Sequence, residues 1–158
     1  MRFCLLLLLT SCSLFFSTKA PESAKGSDYK INFSSNEWVK KNDDRSDYVF
    51  ENKKVGRVLL SNSFCKEFQD EALEELAKKT FRGLGKFTKQ TGDYTTFHNR
   101  EAYRLEGQGS VDGVRVGLKI LNTRRNNCYF DFVAISPLET SPQNSKDFDA
   151  FLNTVEFK

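Results

Sequence analysis

The sequence of 158 residues lacks the features that identify several common protein classes. It has a single histidine and no Cys-x-x-C pair among its four cysteines, which argues against a zinc site and against dithiol redox catalysis. No apolar run reaches the roughly 20 residues of a membrane-spanning helix. The net charge of +3, from 24 basic and 21 acidic residues, is too small to indicate nucleic-acid binding. With one methionine and one tryptophan against fifteen phenylalanines, the core is expected to consist of aromatic rings.

The N-terminal segment has the character of a signal peptide. Residues 3–9 form a short apolar run behind Arg2, and extension to Phe16 gives about fourteen residues, which is too short to cross a bilayer. Two cleavage sites compete within this segment. Leu9-Thr10-Ser11-Cys12 resembles the bacterial lipobox, which implies cleavage before Cys12 and acylation of that cysteine.

The alternative is ordinary signal-peptidase cleavage after Thr18-Lys19-Ala20, which has small residues at the two required positions. Pro21 would then follow the cut directly, where proline is disfavoured. The lipobox is therefore preferred. It predicts a lipoprotein signal peptide over residues 1–11, a lipidated flexible tether over residues 12–28 and a single domain over residues 29–158.

This organisation predicts a protein anchored in the bacterial cell envelope by its acyl chains. Because Ser13 and not Asp follows the cysteine, the resemblance to lipoproteins of enterobacterial type implies the outer membrane, facing the periplasm, rather than the inner membrane. If cleavage occurs after Ala20, the protein is soluble in the periplasm or secreted.

The folded part begins with extended segments. Strands are predicted over residues 28–33, 47–52 and 55–64, followed by an amphipathic helix over residues 70–87 with Asp70 as its N-cap.

The strongest local signal lies downstream of this helix. Residues 103–120 alternate on both sides of Asp112-Gly113, as in a β-hairpin, and Cys128, Phe130, Phe132 and Ala134 share one face of the next strand. A final helix is predicted from Ser145, with an apolar stripe that extends to Val155. The order of elements predicts an α+β fold, in which a long helix and a C-terminal helix pack on an antiparallel meander with the hairpin and the Cys128 strand at its centre.

These elements carry a family resemblance. Cys65 before the amphipathic helix, the Asp112-Gly113 meander, the sequence CYFDF from Cys128 to Phe132 and a Phe-rich closing helix resemble a group of uncharacterised bacterial envelope lipoproteins. The order of elements over residues 62–157 is also similar to the PsbP-like α/β sandwich. Because PsbP-like domains share no common chemistry, the resemblance implies a fold and no activity.

Cys65 and Cys128 remain as a pair if Cys4 is removed with the signal peptide and Cys12 is lipidated. An even number of cysteines in an exported domain favours a disulfide, with separate buried thiols as the alternative. A thiol enzyme with His98 as the base for Cys65 is a third hypothesis, but His98 is better explained as a surface strand residue.

Other candidate motifs are weak. Residues 42–47, NDDRSD, lack the glycine and the closing glutamate of a calcium loop, and the paired glycines lack the strand-to-helix setting of a phosphate loop. Gly107 and Gly109 indicate a bulge or a close backbone approach. Asp131 is predicted to be a buried carboxylate, with Arg104 as its partner.

We therefore expect a non-catalytic binding or accessory module with no metal, no cofactor and no catalytic residue. Its expected partners are the membrane, through the anchor, and an envelope protein or a cell-wall component. The alternative is a carrier for a small apolar ligand, which requires an aromatic-lined pocket of about 300 Å³ or more.

Overall fold

The computed structural model describes residues 24–66, 68 and 70–158, and the side chains of all of these except residues 140–142. These described residues form nine strands and two α-helices. The strands are β1 (Tyr29–Ile31), β2 (Val39–Lys41), β3 (Tyr48–Asn52), β4 (Arg57–Cys65), β5 (Lys86–Phe97), β6 (Arg100–Val111), β7 (Val114–Arg125), β8 (Cys128–Pro137) and β9 (Val155–Phe157), and the helices are α1 (Leu73–Leu84) and α2 (Ser141–Leu152).

Seven strands form one antiparallel sheet in the order β2-β3-β4-β8-β7-β6-β5, and β1 pairs with β9 in a small second sheet. The structure confirms an α+β fold with an antiparallel sheet and two helices. β8 is the central strand, between β4 and β7, whereas β6 is next to the edge strand β5. The hairpin therefore reaches from the centre almost to the edge of the sheet.

β8 is buried on both faces and supplies a side chain to each core in turn. Cys128, Phe130, Phe132 and Ala134 face the core that contains α2, as the sequence predicted. Tyr129 and Val133 face the opposite core, which contains α1. Such two-sided burial explains why this strand is an almost continuous apolar run.

The core on the α2 side is built from aromatic rings, as the phenylalanine content predicted. Neighbouring centroids are 5.0 Å apart for Tyr29 and Phe130, 5.1 Å for Phe130 and Phe157, and 5.3 Å for Phe33 and Phe50. The planes are close to perpendicular, which is the favoured edge-to-face arrangement. Rings from both sheets and from α2 thus fill the space between them.

The helices differ from the prediction at their ends. α1 begins after Ala72 and not at Asp70, which makes no cap, and it ends at Leu84, so that Phe87 belongs to β5. α2 begins at Ser141, before the predicted Ser145, and Val155 lies in β9. Both helices have 12 residues, so neither is the single long helix that was expected.

The edge strand β5 was not predicted. Its side chains are exposed along nearly all of its 12 residues, so the sequence shows none of the alternation that identifies a half-buried strand. β5 and β6 are joined by a two-residue turn, where His98 and Asn99 have φ of 48° and 59°. His98 is therefore a turn residue and not a strand residue.

The Asp112-Gly113 hairpin is confirmed, with φ of 48° and 82° at the two turn residues, as a two-residue turn between right-twisted strands requires. The close approach predicted at Gly107 and Gly109 is also present. A Cβ atom on Gly107 would lie 2.5 Å from Cε1 of Phe81, and the irregularity in the ladder lies opposite, between Phe87 and Lys89.

Among the residues that the structure describes, neither helix has the length and apolar content needed to cross a bilayer.

Replacement of Gly107 by Ala is expected to destabilise the domain by about 1–3 kcal/mol, because the new methyl group meets Phe81 of α1 and the carbonyl of Lys89. Gly83 is the matched control. It lies on the exposed side of α1, where a methyl group would have no atom within 4 Å, so Gly83→Ala is expected to stabilise by about 0.5–1 kcal/mol. Urea unfolding midpoints measure both effects, and equal shifts for the two variants would contradict the packing described.

Candidate functional site at the disulfide end of the sheet

Cys65 and Cys128 lie directly opposite each other at the end of β4 and the start of β8, with Cα atoms 4.0 Å apart. The structure joins them in a disulfide across 63 residues of sequence. In the chain-entropy model a loop of this length stabilises the fold by roughly 4 kcal/mol. The bond leaves neither sulfur as a free thiol, so it also removes the nucleophile that a Cys-His enzyme would need.

The chain enters the domain at this disulfide. Ala24 pairs with Cys65, whose backbone N–H donates to the Ala24 carbonyl over 2.8 Å. Two residues later, the backbone N–H of Gly26 donates to Oγ of Ser63 over 2.7 Å. The segment from Ala24 to Gly26 is antiparallel to β4, with Gly26 beside Ser63 and Ala24 beside Cys65. Followed backwards from Gly26 to Ala24, the chain therefore leads towards the disulfide end of the sheet. Among the described residues, contacts with the sheet are thus already present at Ala24.

A partly buried carboxylate strengthens this attachment. Asp47 accepts a hydrogen bond from the Tyr29 hydroxyl over 2.8 Å and another from the Ser63 hydroxyl, and its Oδ1 lies 3.1 Å from Nζ of Lys25. Burial raises the pKa of Tyr29, so this phenol stays protonated and keeps donating. Asp47 closes the acidic segment at residues 42–47, and it serves here as a structural acceptor. The described residues contain no group of acidic, Cys or His side chains arranged to hold a metal ion.

A surface cleft of about 360 Å³ opens beside the disulfide. Three arginines line it, Arg100, Arg124 and Arg125, together with Asp70 and the Asn126-Asn127 turn between β7 and β8. Arg124 is held in place, since its Nη2 donates to the carbonyls of Phe68, over 2.7 Å, and of Glu71. The guanidinium of Arg125 lies over the ring of Phe157, 5.2 Å from its centroid.

These arginines retain unused hydrogen-bonding capacity. The Nε atoms of Arg124 and Arg125 are buried and have no acceptor among the described residues. Arg100 is exposed at the start of β6. The cleft therefore presents positive charge to whatever lies beyond this end of the domain.

A second polar cluster lies under α1. The buried Asp131 of β8 accepts a hydrogen bond from the Tyr129 hydroxyl, and its Oδ2 lies 3.2 Å from the hydroxyl of Thr80 on α1. Nδ2 of Asn122 donates to the Tyr129 hydroxyl and to the Leu73 carbonyl, over 3.0 and 2.9 Å. The cluster therefore links the central strands to both the first turn and the middle of α1.

Burial raises the pKa of Asp131 to about 7, although hydrogen bonds from Tyr129 and Thr80 favour the ionised form. Asn62 and Asn122 flank Asp131 in register on the neighbouring strands, and the buried Oδ1 of each has no donor among the described residues. A protonated Asp131 supplies one donor to a cluster with two unsatisfied acceptors. The predicted partner was wrong, because Arg104 pairs instead with Asp149 of α2 over 2.9 Å.

The predicted site residues are thus distributed as follows. Cys65 and Cys128 are joined, whereas Cys4 and the predicted lipid-attachment residue Cys12 lie outside the described residues. The ring of His98 packs against Phe97 and Phe157, with centroids 4.5 and 5.3 Å away.

The Phe-rich core is the place where the alternative hypothesis, a carrier of a small apolar ligand, puts its binding pocket. Phe130, Phe132, Phe148 and Phe151 are each at most 1% exposed, so their own contacts occupy the space where an apolar ligand was expected. Binding there would require these rings to separate.

The cleft arginines were missed in the sequence analysis. Arg124 and Arg125 are adjacent in the sequence, whereas Arg100 is more than twenty residues away from them. Only the two hairpin turns at this end, at residues 98–99 and 126–127, bring the three side chains together.

Comparison with solved structures shows the fold. The chain is similar to LpqN of Mycobacterium tuberculosis, described as involved in cell envelope biogenesis, with a TM-score of 0.59, 9% identity, and coverage of 89% of this chain and 87% of that one. It is also similar to the cyanobacterial PsbP protein of Synechocystis, with a TM-score of 0.56, 12% identity, and coverage of 87% and 92%. A protein of unknown function from Pseudomonas aeruginosa, described as a putative regulator, gives a TM-score of 0.55 at 12% identity, with coverage of 84% and 86%. No family model and no curated protein matches the sequence.

Replacement of Asp131 by Asn is expected to change how stability depends on pH. The folded pKa of about 7 lies above the unfolded value near 4, so the native state binds the extra proton and this residue's contribution falls as pH rises from about 4 to about 7. Asn cannot ionise, so Asp131→Asn should equal the parent below about pH 4 and exceed it at pH 8 by at most roughly 4 kcal/mol.

The measurement is urea unfolding of both proteins between pH 5 and pH 8, with the exposed Asp93→Asn as the matched control. The difference in free energy of unfolding between the parent and Asp93→Asn should stay nearly constant over this range. A constant difference for Asp131→Asn as well would show that the carboxylate is ionised throughout.

Proposed function

We propose that this protein is a lipid-anchored component of the bacterial cell envelope, in which acylated Cys12 holds a non-catalytic binding or accessory module at the membrane. The observation that carries the proposal is the sequence Leu9-Thr10-Ser11-Cys12, which places a lipobox cysteine directly after an apolar run of signal-peptide length. Two or more acyl chains anchor a protein stably, because each buried methylene contributes about 0.8 kcal/mol.

The way the chain enters the domain supports this proposal. Ala24, the first described residue, is twelve positions after Cys12 and is tied to the disulfide end by its pairing with Cys65. A short spacer followed at once by a fixed attachment point suits a domain that is held at a surface. An oxidised cysteine pair is also typical of exported proteins.

A binding role, rather than a catalytic one, agrees with where the reactive groups lie. Asp131 and Tyr129 are buried under α1, the two cysteines of the domain are bonded, and His98 packs against aromatic rings. LpqN, which has a similar fold, is described as involved in cell envelope biogenesis, and an envelope protein or a cell-wall component is a compatible partner here. We place the domain at the outer membrane, facing the periplasm.

The intact mass of the protein purified from its native host tests this function. The expected result is a chain that begins at residue 12, carries the mass of its acyl groups and lacks the two hydrogens lost in the disulfide. Cys12→Ser is the control and should yield no acylated species. A mature chain that begins at Pro21 without acyl mass would overturn the anchor and indicate a soluble periplasmic or secreted protein.

A further inference from the structure

We propose that the disulfide end of the domain is a docking surface for the anionic membrane in which the anchor is held. This surface consists of the arginine cleft, Lys66 and Phe68. The proposal rests on the proposed lipid anchor, which it extends by giving the domain a fixed orientation. The occupant is the headgroup layer of anionic phospholipids, whose phosphates bind the basic side chains while an aromatic ring enters the interface.

The tether determines which part of the domain is near the membrane. Ala24 is twelve residues after Cys12, and a flexible chain of that length would have an end-to-end distance of about 20 Å and cannot exceed about 43 Å. Ala24 is bound beside Cys65, so the disulfide end lies closest to the anchor. The Asp112-Gly113 turn lies at the opposite end of the sheet and points away from the anchor.

The charge of this end suits an anionic surface. Three arginines line the cleft, and exposed Lys66 adjoins it through its backbone N–H, which donates to the Asn127 carbonyl over 2.9 Å. Of the nearby acids, Asp70 lines the cleft, the Glu71 carboxylate is paired with Lys79, and Glu101 is exposed beside Arg100, whereas Glu67 lies outside the described residues. Each basic residue near an anionic surface adds to the attraction within a Debye length of that surface.

An exposed aromatic ring accompanies these charges. Phe68 is 38% exposed, while its ring contacts Phe64 and Tyr129, with centroids 5.9 and 6.0 Å away. The Phe68 carbonyl accepts a hydrogen bond from Arg124, and this bond joins the residue that carries the ring to the guanidinium. Phenylalanine beside arginine is a composition that favours the boundary between headgroups and acyl chains.

The test measures partition of the chain into vesicles without help from the anchor. Residues 12–158 with Cys12→Ser include every described residue and have no acylation site. Vesicles of phosphatidylglycerol and phosphatidylethanolamine are compared with vesicles of phosphatidylcholine by co-sedimentation. Binding is expected on the anionic vesicles only, and it should be lost when the salt concentration is raised to about 1 M.

Matched charge reversals locate the surface. Lys66→Glu with Arg100→Glu changes two exposed residues at the disulfide end and should lower the partition coefficient by about tenfold or more. Arg82→Glu with Arg115→Glu makes the same change in net charge with exposed residues at the far end, and it should leave partition within about twofold of the parent. Asp70→Asn should raise the partition coefficient, because it removes a negative charge from the cleft. Equal losses in both double variants would overturn the proposal, since net charge alone would then explain binding.

A tryptophan at position 68 reports insertion of the ring. The native Trp38 is buried beside Arg57, at the far end of β4, so it provides a constant background signal. Brominated lipids in the anionic vesicles should quench the added fluorescence of Phe68→Trp and leave that of Trp38 unchanged. Equal quenching of the parent and the variant would overturn the orientation. Unfolding midpoints of all variants verify that each one is folded.

The two proposals fail separately. Absence of acyl mass on the native protein would remove the anchor and leave the vesicle result unchanged, because the assayed chain carries no lipid. Absence of binding to anionic vesicles would remove the docking surface and leave the mass result unchanged.

Discussion

The bond between Cys65 and Cys128 is the constraint on which the rest of the structure depends. It joins β4 to the central strand β8 at a directly opposed pair, so it fixes the register of the ladder that continues to Val58 and Ile135. A slip of one residue would turn every side chain of a strand to the other face. In β8 that slip would exchange the phenylalanines of the α2 core with Tyr129 and Asp131. The covalent bond and the separation of the two cores therefore require the same register.

The two cores differ in composition and in the elements that they hold against the sheet. The α2 core is almost wholly apolar and brings β1 and β9 against the sheet through Tyr29, which also binds Asp47 near the point of chain entry. The α1 side mixes an apolar cluster with the buried row of Asn62, Asp131 and Asn122. Because α1 supplies Thr80 to this row, and its preceding residues accept from Arg124, the helix is attached at both the polar row and the arginine cleft. The buried cluster and the surface site thus share one helix.

How much of the structure could be predicted from the sequence depends on how close together in the chain the informative residues lie. The Asp112-Gly113 hairpin and the two faces of β8 were predictable because period-two alternation and a turn dipeptide are local features. β5 was not, since exposure of both faces removes the alternation. Tyr129, two positions from Asp131 on the same strand face, was a partner that spacing alone could have indicated, whereas Thr80 comes from a helix 51 residues away. The arginine cleft required knowledge of which strand ends meet, and this depends on the topology of the whole sheet.

The central claim is that the disulfide ties the entering chain to the middle of the sheet, and amide hydrogen exchange tests it most directly. The N–H groups of Gly26, Cys65 and Lys66 all donate hydrogen bonds at this junction. In the protein with Cys65→Ala and Cys128→Ala, these three amides should exchange about tenfold faster or more than in the parent, and Ile120 and Val133 in the central ladder should also lose protection, because the bond stabilises the whole fold. Unchanged exchange at the three junction amides, with the bond absent, would contradict the account.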